Sequence, residues 1–209
     1  MINDYKKLPI GKWLEIRDVQ RDEAIEDKYT KTVAILSILS DIPEEELYDM
    51  KLEDFSKMTG EMAFLMKEVP QVPVCDRYKL GEYNLVLVRD LKELTASQFI
   101  DYQTFIKDTD KYIVELLSIF LIPKGKKYCK DYDIVDVQKA IRENLSIADA
   151  MSVSAFFLDL FKVLYRSMQI YLTKRLKKAK RKMKTEEATQ IEEAIVNLEK
   201  SGAGFLSLI

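Results

Sequence analysis

The chain has no histidine, and its 209 residues include only two cysteines, six glycines and five prolines. Without histidine there is no Ser-His or Cys-His nucleophile pair, and the commonest general base and metal ligand is missing. Cys75 and Cys129 are far apart and form no CxxC pair. Neither a disulfide framework nor a zinc site is therefore indicated, and a reducing compartment is the simplest setting. Glycine is too sparse for a phosphate-cradling loop. "IPKGKKY" has one glycine, and "SGAGFLSLI" follows a helical pattern rather than a strand. Long apolar runs are also lacking: Ile113 to Pro123 is short and contains Glu115, whereas a membrane span needs about 20 apolar residues. The start, "MINDYKKLPIGKW", has no signal-peptide core, so a cytoplasmic protein is expected. Carboxylates such as Asp131 and Asp133, or Glu44 to Glu46, read as solvated turns and helix starts rather than acid–base pairs. These absences argue against an enzyme, a metal site or a bound cofactor.

What remains is 47% hydrophobic and 33% charged, rich in helix formers and able to bury a core. The expected fold class is mainly α, a helical bundle with a small β-ribbon. Val153 to Leu172 places Val153, Phe156, Phe157, Leu160, Phe161, Leu164 and Met168 on one helix face. Leu158, Val163 and Ile170 widen that stripe, so this helix is expected at the centre of the bundle, nearly surrounded. "VELLSIFLIPKGKKY" (114–128) reads as a buried helix ending near Ile122, with Pro123 and Gly125 turning the chain.

That run echoes "VAILSILSDIPEEEL" (33–47). Each copy follows an alternating piece with one glycine, "LPIGKWLEIRDV" (8–19) and "YKLGEYNLVLVRDL" (78–91), and alternation with aromatic and aliphatic residues favours strands that pair with each other. The halves are thus read as two related lobes from a degenerate duplication, each ordered strand, helix, Ile-Pro turn, helix. Pro70 and Pro73 mark a linker, giving an N-terminal lobe at 1–67, a linker at 68–77, a C-terminal lobe at 78–172, and a charged helix with apolar tail at 173–209. Local signals set other boundaries. Thr95 and Gln98 form a capping-box pair, Asp108 to Asp110 give a break with a fresh cap, and Pro43 with three glutamates opens a short helix.

Charge is segregated. Lys174, Arg175, Lys177, Lys178, Lys180, Arg181, Lys182 and Lys184 crowd one run, so a chain of net charge −2 carries −10 outside it. Such a run is a surface for nucleic acid or an acidic partner, or a solvated helix end balanced by the acids of "TEEATQIEEAIVNLEK"; the second reading is the simpler. Phe205, Leu206, Leu208 and Ile209 follow two glycines that end the preceding helix. This apolar tail either folds back onto the bundle or enters a partner's groove.

In "LPIGKWLEI", "ILSILSDIPEEELYDMKLEDFSKMTGEMAFL", "LTASQFIDYQTF" and "NLSIADAMSVSAFF", the chain resembles tail assembly chaperones, small helical morphogenesis proteins of tailed bacteriophages. The resemblance covers residues 8–172 by pattern and carries over no individual residue. It implies a non-enzymatic factor that binds the tape-measure protein and tail-tube subunits during virion assembly in the host cytoplasm. Other readings are a virion connector or ring subunit that uses the same helices in a homo-oligomeric interface, and a nucleic-acid-binding accessory protein using 174–184.

The buried-helix reading of 114–122 has a direct measure. Leu117→Ala or Phe120→Ala should cost about 2–5 kcal/mol in denaturant unfolding; a much smaller loss with the fold kept would put the run on a surface.

Overall fold

The computed structural model describes residues 1–90, 93–181 and 189–196. Its first half holds helices α1 (Ile10–Arg21), α2 (Lys28–Ser40), α3 (Glu44–Tyr48) and α4 (Leu52–Glu61), then a 3-10 turn at Met62–Met66. Strands β1 (Arg77–Leu80) and β2 (Tyr83–Leu87) precede α5 (Ala96–Phe105), α6 (Thr109–Phe120), β3 (Leu121–Pro123), α7 (Ile134–Asn144) and α8 (Ile147–Arg181). A further helix, α9, covers 189–196. The architecture is mainly α with one small antiparallel sheet in the order β1-β2-β3. No helix among the described residues is long and apolar enough to cross a membrane.

Helix starts follow the local chemistry. The Thr95 hydroxyl accepts from the Gln98 N–H while the Gln98 carbonyl oxygen accepts from the Thr95 N–H, closing a complete capping box. The Asp108 carboxylate caps α6 by accepting from the Lys111 N–H, and Asp133 caps α7 through the Val135 N–H. Pro43 stands just before α3, whose first turn is all glutamate, where negative charge suits the helix dipole.

The sheet is made differently from the sequence-based expectation. Residues 8–19 are not a strand: Pro9 is the N-cap of α1, and Ile10 and Leu14, one turn apart, enter the core together. Alternation over so few residues fits both periods; in the helical one adopted here, Trp13 and Arg17 pack as an i,i+4 pair. The ribbon comes from 77–87 alone, folded at Gly81, whose φ of +58° suits the first position of a two-residue hairpin turn. Tyr78, Leu80, Leu85 and Leu87 point inward, and Leu85 and Leu87 pair with Pro123 and Leu121 of β3. Helix α6 therefore stops at Phe120 rather than near Ile122, because the free side of β2 takes the next three residues; the Val88 N–H donates to the Phe120 carbonyl and the Lys124 N–H to that of Asn84. Gly125, at φ +77°, then turns the chain.

The Ile-Pro segments consequently differ: Ile122-Pro123 is strand, and Ile42-Pro43 is the entry to α3. Leu36, Leu39, Leu117 and Phe120 are all buried on helices, but the common order of strand, helix, turn and helix does not hold. One buried cluster draws on α1, α2, the sheet, α6, α7 and the first turns of α8. Val69, Val72 and Val74 lean on it, and the Val72 N–H donates to the Ser152 hydroxyl.

Helix α8 is not surrounded along its length. Val153, Phe157 and Phe161 are buried, whereas Val163 is 65% and Tyr171 59% exposed. The reason is length: 35 residues make about 52 Å of helix, against roughly 18 Å for the 12 residues of α1 or α6. Among the described residues, no helix of the body is long enough to follow α8 far past Phe161, and only α9 packs on its later turns.

Gln98 is 2% exposed, and its amide also donates to the Ile119 carbonyl at 2.8 Å, satisfying an end group of α6. A capping box by itself tolerates Glu at this position. Gln98→Glu should nonetheless cost roughly 1–3 kcal/mol, since the carboxylate would face that carbonyl without a proton to donate. A variant as stable as the parent in urea would show that the cross-helix bond contributes nothing.

Candidate functional site

Three helix faces converge on an apolar cleft of about 210 Å³. Trp13 and Arg17 come from α1, Ile113 and Leu116 from α6, and Met151 and Leu158 from α8, each set spaced by three, four or seven residues so that one helix side points inward. The floor is aromatic. Phe120 stacks on Phe157 with ring centroids 3.7 Å apart, and Tyr102 stacks on Phe161 at 4.0 Å. Such stacked pairs hold the floor rigid while the rim stays open, with Met151 41% exposed.

The rim carries one organised charge group. The Arg17 guanidinium lies over Trp13, 5.6 Å from the ring centroid, and donates to the Asp110 carbonyl at 3.0 Å and to the Asp18 carboxylate at 3.3 Å. Arg21 donates to the Asp110 carboxylate at 2.9 Å. These bonds tie the last turns of α1 to the first turn of α6 and fix the width of the mouth. As surface ion pairs they add little stability, about 0–1 kcal/mol each.

A second hollow, wider and more open at about 630 Å³, lies at the start of α5 beside Lys126, Lys127 and Lys130. The N–H groups of Thr95 and Gln98 there are already taken by the capping box. Nearby, the Tyr128 hydroxyl donates to the Asp101 carboxylate at 2.9 Å, and burial followed by that bond pushes its pKa well above the usual phenol range. Although Cys129 is exposed, partial desolvation of its thiol pushes its pKa up, against the lowering effect of Tyr128. A nucleophilic thiol needs the opposite shift. No three His, Cys, Asp or Glu side chains gather at metal-holding distance among the described residues.

Of the basic run, Lys174, Arg175, Lys177, Lys178 and Lys180 are exposed on the far part of α8. Lys180 pairs with Glu192 of α9 at 2.7 Å, and Ile191 of α9 packs against Leu172 and Leu176. Arg181 closes α8, while Lys182, Lys184, Phe205, Leu206, Leu208 and Ile209 lie outside the described residues. The described part of the basic run, Lys174 to Arg181, does not line the cleft. The cleft was hidden in the sequence because residues 8–19 read as a strand, which puts Trp13 and Arg17 on the same edge but leaves them no helical neighbours; read as a helix, their i,i+4 spacing is the available signal.

Compared with known protein families, curated proteins and solved structures, the chain matches none.

The raised Cys129 pKa has a kinetic consequence. In a Cys75→Ser variant at pH 8, iodoacetamide should alkylate Cys129 more slowly than it does a free model thiol, with the rate rising at higher pH than an ordinary thiol requires. Equal or faster alkylation would mean that the thiolate is stabilised.

Proposed function

We propose that the protein is a non-enzymatic binding factor that holds an apolar stretch of a partner polypeptide in the cleft between α1, α6 and α8. The observation that carries this is the size and lining of the cleft. At about 210 Å³ it falls below the 300–1,000 Å³ common for small-molecule sites, yet it accommodates one or two large side chains of a docked segment. Its aromatic floor and methionine rim suit an anchor residue that packs without a fixed geometry. The Arg17–Asp110 group at the mouth supplies polar contacts at the edge rather than the centre.

The specific form of this reading is a tail assembly chaperone whose client is the tape-measure protein, with tail-tube subunits recruited during virion morphogenesis. Its support is the pattern-level resemblance of residues 8–172, together with the accessible apolar cleft that a chaperone for a long helical client needs. The two free, exposed thiols, Cys75 and Cys129, suit action in the host cytoplasm. The basic stretch on α8 would steer encounter with an acidic surface, acting on association rate more than on affinity.

The test is affinity capture of tape-measure and tail-tube proteins by the purified chain and by Met151→Arg, which changes an exposed rim residue. Loss of an anchor contact should weaken capture tenfold or more, equivalent to about 1.4 kcal/mol. Undiminished capture by the variant would remove the cleft from the interface. A chaperone should also be missing from purified particles, whereas a connector or ring subunit should be present; steep salt-dependent DNA binding, lost on neutralising 174–184, would select the nucleic-acid reading.

A further inference from the structure

We infer that a second copy of the chain docks its α3–α4 corner on the outer face of α8, so that the protein associates with itself through two surfaces of opposite charge. The inference does not depend on the role of the cleft, and none of the residues it uses lines that space.

The face of α8 is the first observation. From Leu160 to Arg181 the sequence has eight basic residues and no acidic one. Lys162 is paired with Asp159, and Lys180 with Glu192 of α9. Arg166, Lys174, Lys177 and Lys178 are exposed and form no ion pair among the described residues. At about 3.6 residues per turn, all four fall on the half of α8 turned away from Leu172 and Leu176, the residues on which α9 packs. Ile170, 52% exposed, stands about one turn from both Arg166 and Lys174, with exposed Tyr171 beside it. An aliphatic side chain inside a cation stripe meets nothing apolar on a phosphate backbone. It does so on a protein surface that sets apolar groups among acids.

This chain carries such a surface, and that is the second observation. Residues 44–54, which cover α3 and the start of α4, include six carboxylates and one lysine, Lys51. Glu44, Glu45, Glu46, Asp49, Glu53 and Asp54 are all exposed, and none of them forms an ion pair among the described residues. Set among them, Tyr48 is 60% and Leu52 82% exposed. The match is therefore double: lone cations against lone carboxylates, and Ile170 with Tyr171 against Tyr48 with Leu52. Within one chain both surfaces stay open, so the partner that satisfies them is another copy. A net charge of only −2 leaves little overall repulsion between copies. The opposed charges orient the encounter, while the apolar centres supply the buried area that exposed ion pairs do not. Because the two surfaces differ, the contact is heterologous and copies add head to tail.

Sedimentation velocity of the full-length chain, with Cys75 and Cys129 kept reduced, should show a mass above that of one chain, rising with protein concentration and falling as salt is raised. The mass of a single chain at every concentration in low salt would overturn the inference. Charge reversal then identifies the surfaces. A triple variant Lys174→Glu, Lys177→Glu, Lys178→Glu and a triple variant Glu45→Lys, Asp49→Lys, Glu53→Lys, all at exposed positions, should each weaken self-association at least about tenfold. An equimolar mixture of the two should regain it, because each then offers the charge that the other lacks. Either variant associating like the parent refutes the inference, and so does a mixture that stays monomeric while both variants keep the parent's helical content. A second measurement needs no variant: zero-length carbodiimide coupling of isotope-labelled with unlabelled parent chains should join Lys174, Lys177 or Lys178 of one copy to a carboxylate within 44–54 of another. Crosslinks between copies only elsewhere refute the pairing. Duplex DNA bound through the same lysines by a chain that stays monomeric would overturn it too, assigning the face to nucleic acid. None of these outcomes bears on capture through Met151.

Discussion

Residues 8–10 and 145–147 exchange a pair of backbone hydrogen bonds in the middle of the core, and the positions of three helices depend on them. The Ile10 N–H donates to the Leu145 carbonyl and the Ile147 N–H to the Leu8 carbonyl, both at 2.8 Å. Leu8, Ile10, Leu145 and Ile147 are almost completely buried, so these groups have no water to turn to, and breaking one bond would leave both a donor and an acceptor unsatisfied. This clasp sets where α1 begins, where α7 ends and where α8 starts. Gly11 completes it. A Cβ there would lie 2.7 Å from the Arg142 carbonyl oxygen, so glycine is required for the close approach of α1 to the end of α7.

From the clasp the helices diverge, and the cleft is the space that divergence leaves. Helix α8 departs with Val153, Phe157 and Phe161 against the core, while α1 leaves on the other side and is tied to α6 only near its far end, through Arg17 and Arg21. Between those two fastenings the stacked rings of Phe120 and Phe157 close the bottom but not the mouth. The same geometry lets α8 run on past the body, where α9 packs against it. Rigid floor, open rim and projecting helix are thus consequences of one junction.

Signals that act within one turn of chain were legible in the sequence. The Thr95–Gln98 box, the Asp108 cap and the glutamate-rich start of α3 each join groups no more than a few residues apart, so residue type and spacing are enough to define them. The inward alternation of Tyr78 and Leu80, and of Leu85 and Leu87, was legible for the same reason. Composition set the class: scarce glycine and proline with abundant helix formers gave a mainly α protein with a small ribbon.

What the sequence could not decide was every choice between two locally permitted structures. Residues 8–19 satisfy both strand and helix periodicity, and the balance is tipped by partners more than 130 positions away, Leu145 to Ile147, which offer a clasp to 8–10 and a packing surface to the turns after it. Leu121 to Pro123 continue an apolar helix by pattern, but the unpaired side of β2 draws them into the sheet. Gln98 shows both levels in one side chain: its carbonyl oxygen makes the local box that sequence spacing reveals, and its amide makes the bond to Ile119 that only the meeting of α5 and α6 creates. Sequence alone determined where α3, α5 and α6 start, because their caps and first-turn charges are local; tertiary structure decided that residues 8–19 are helix, where α6 stops and what the helix faces enclose, because those depend on groups that only folding brings within hydrogen-bonding or packing distance.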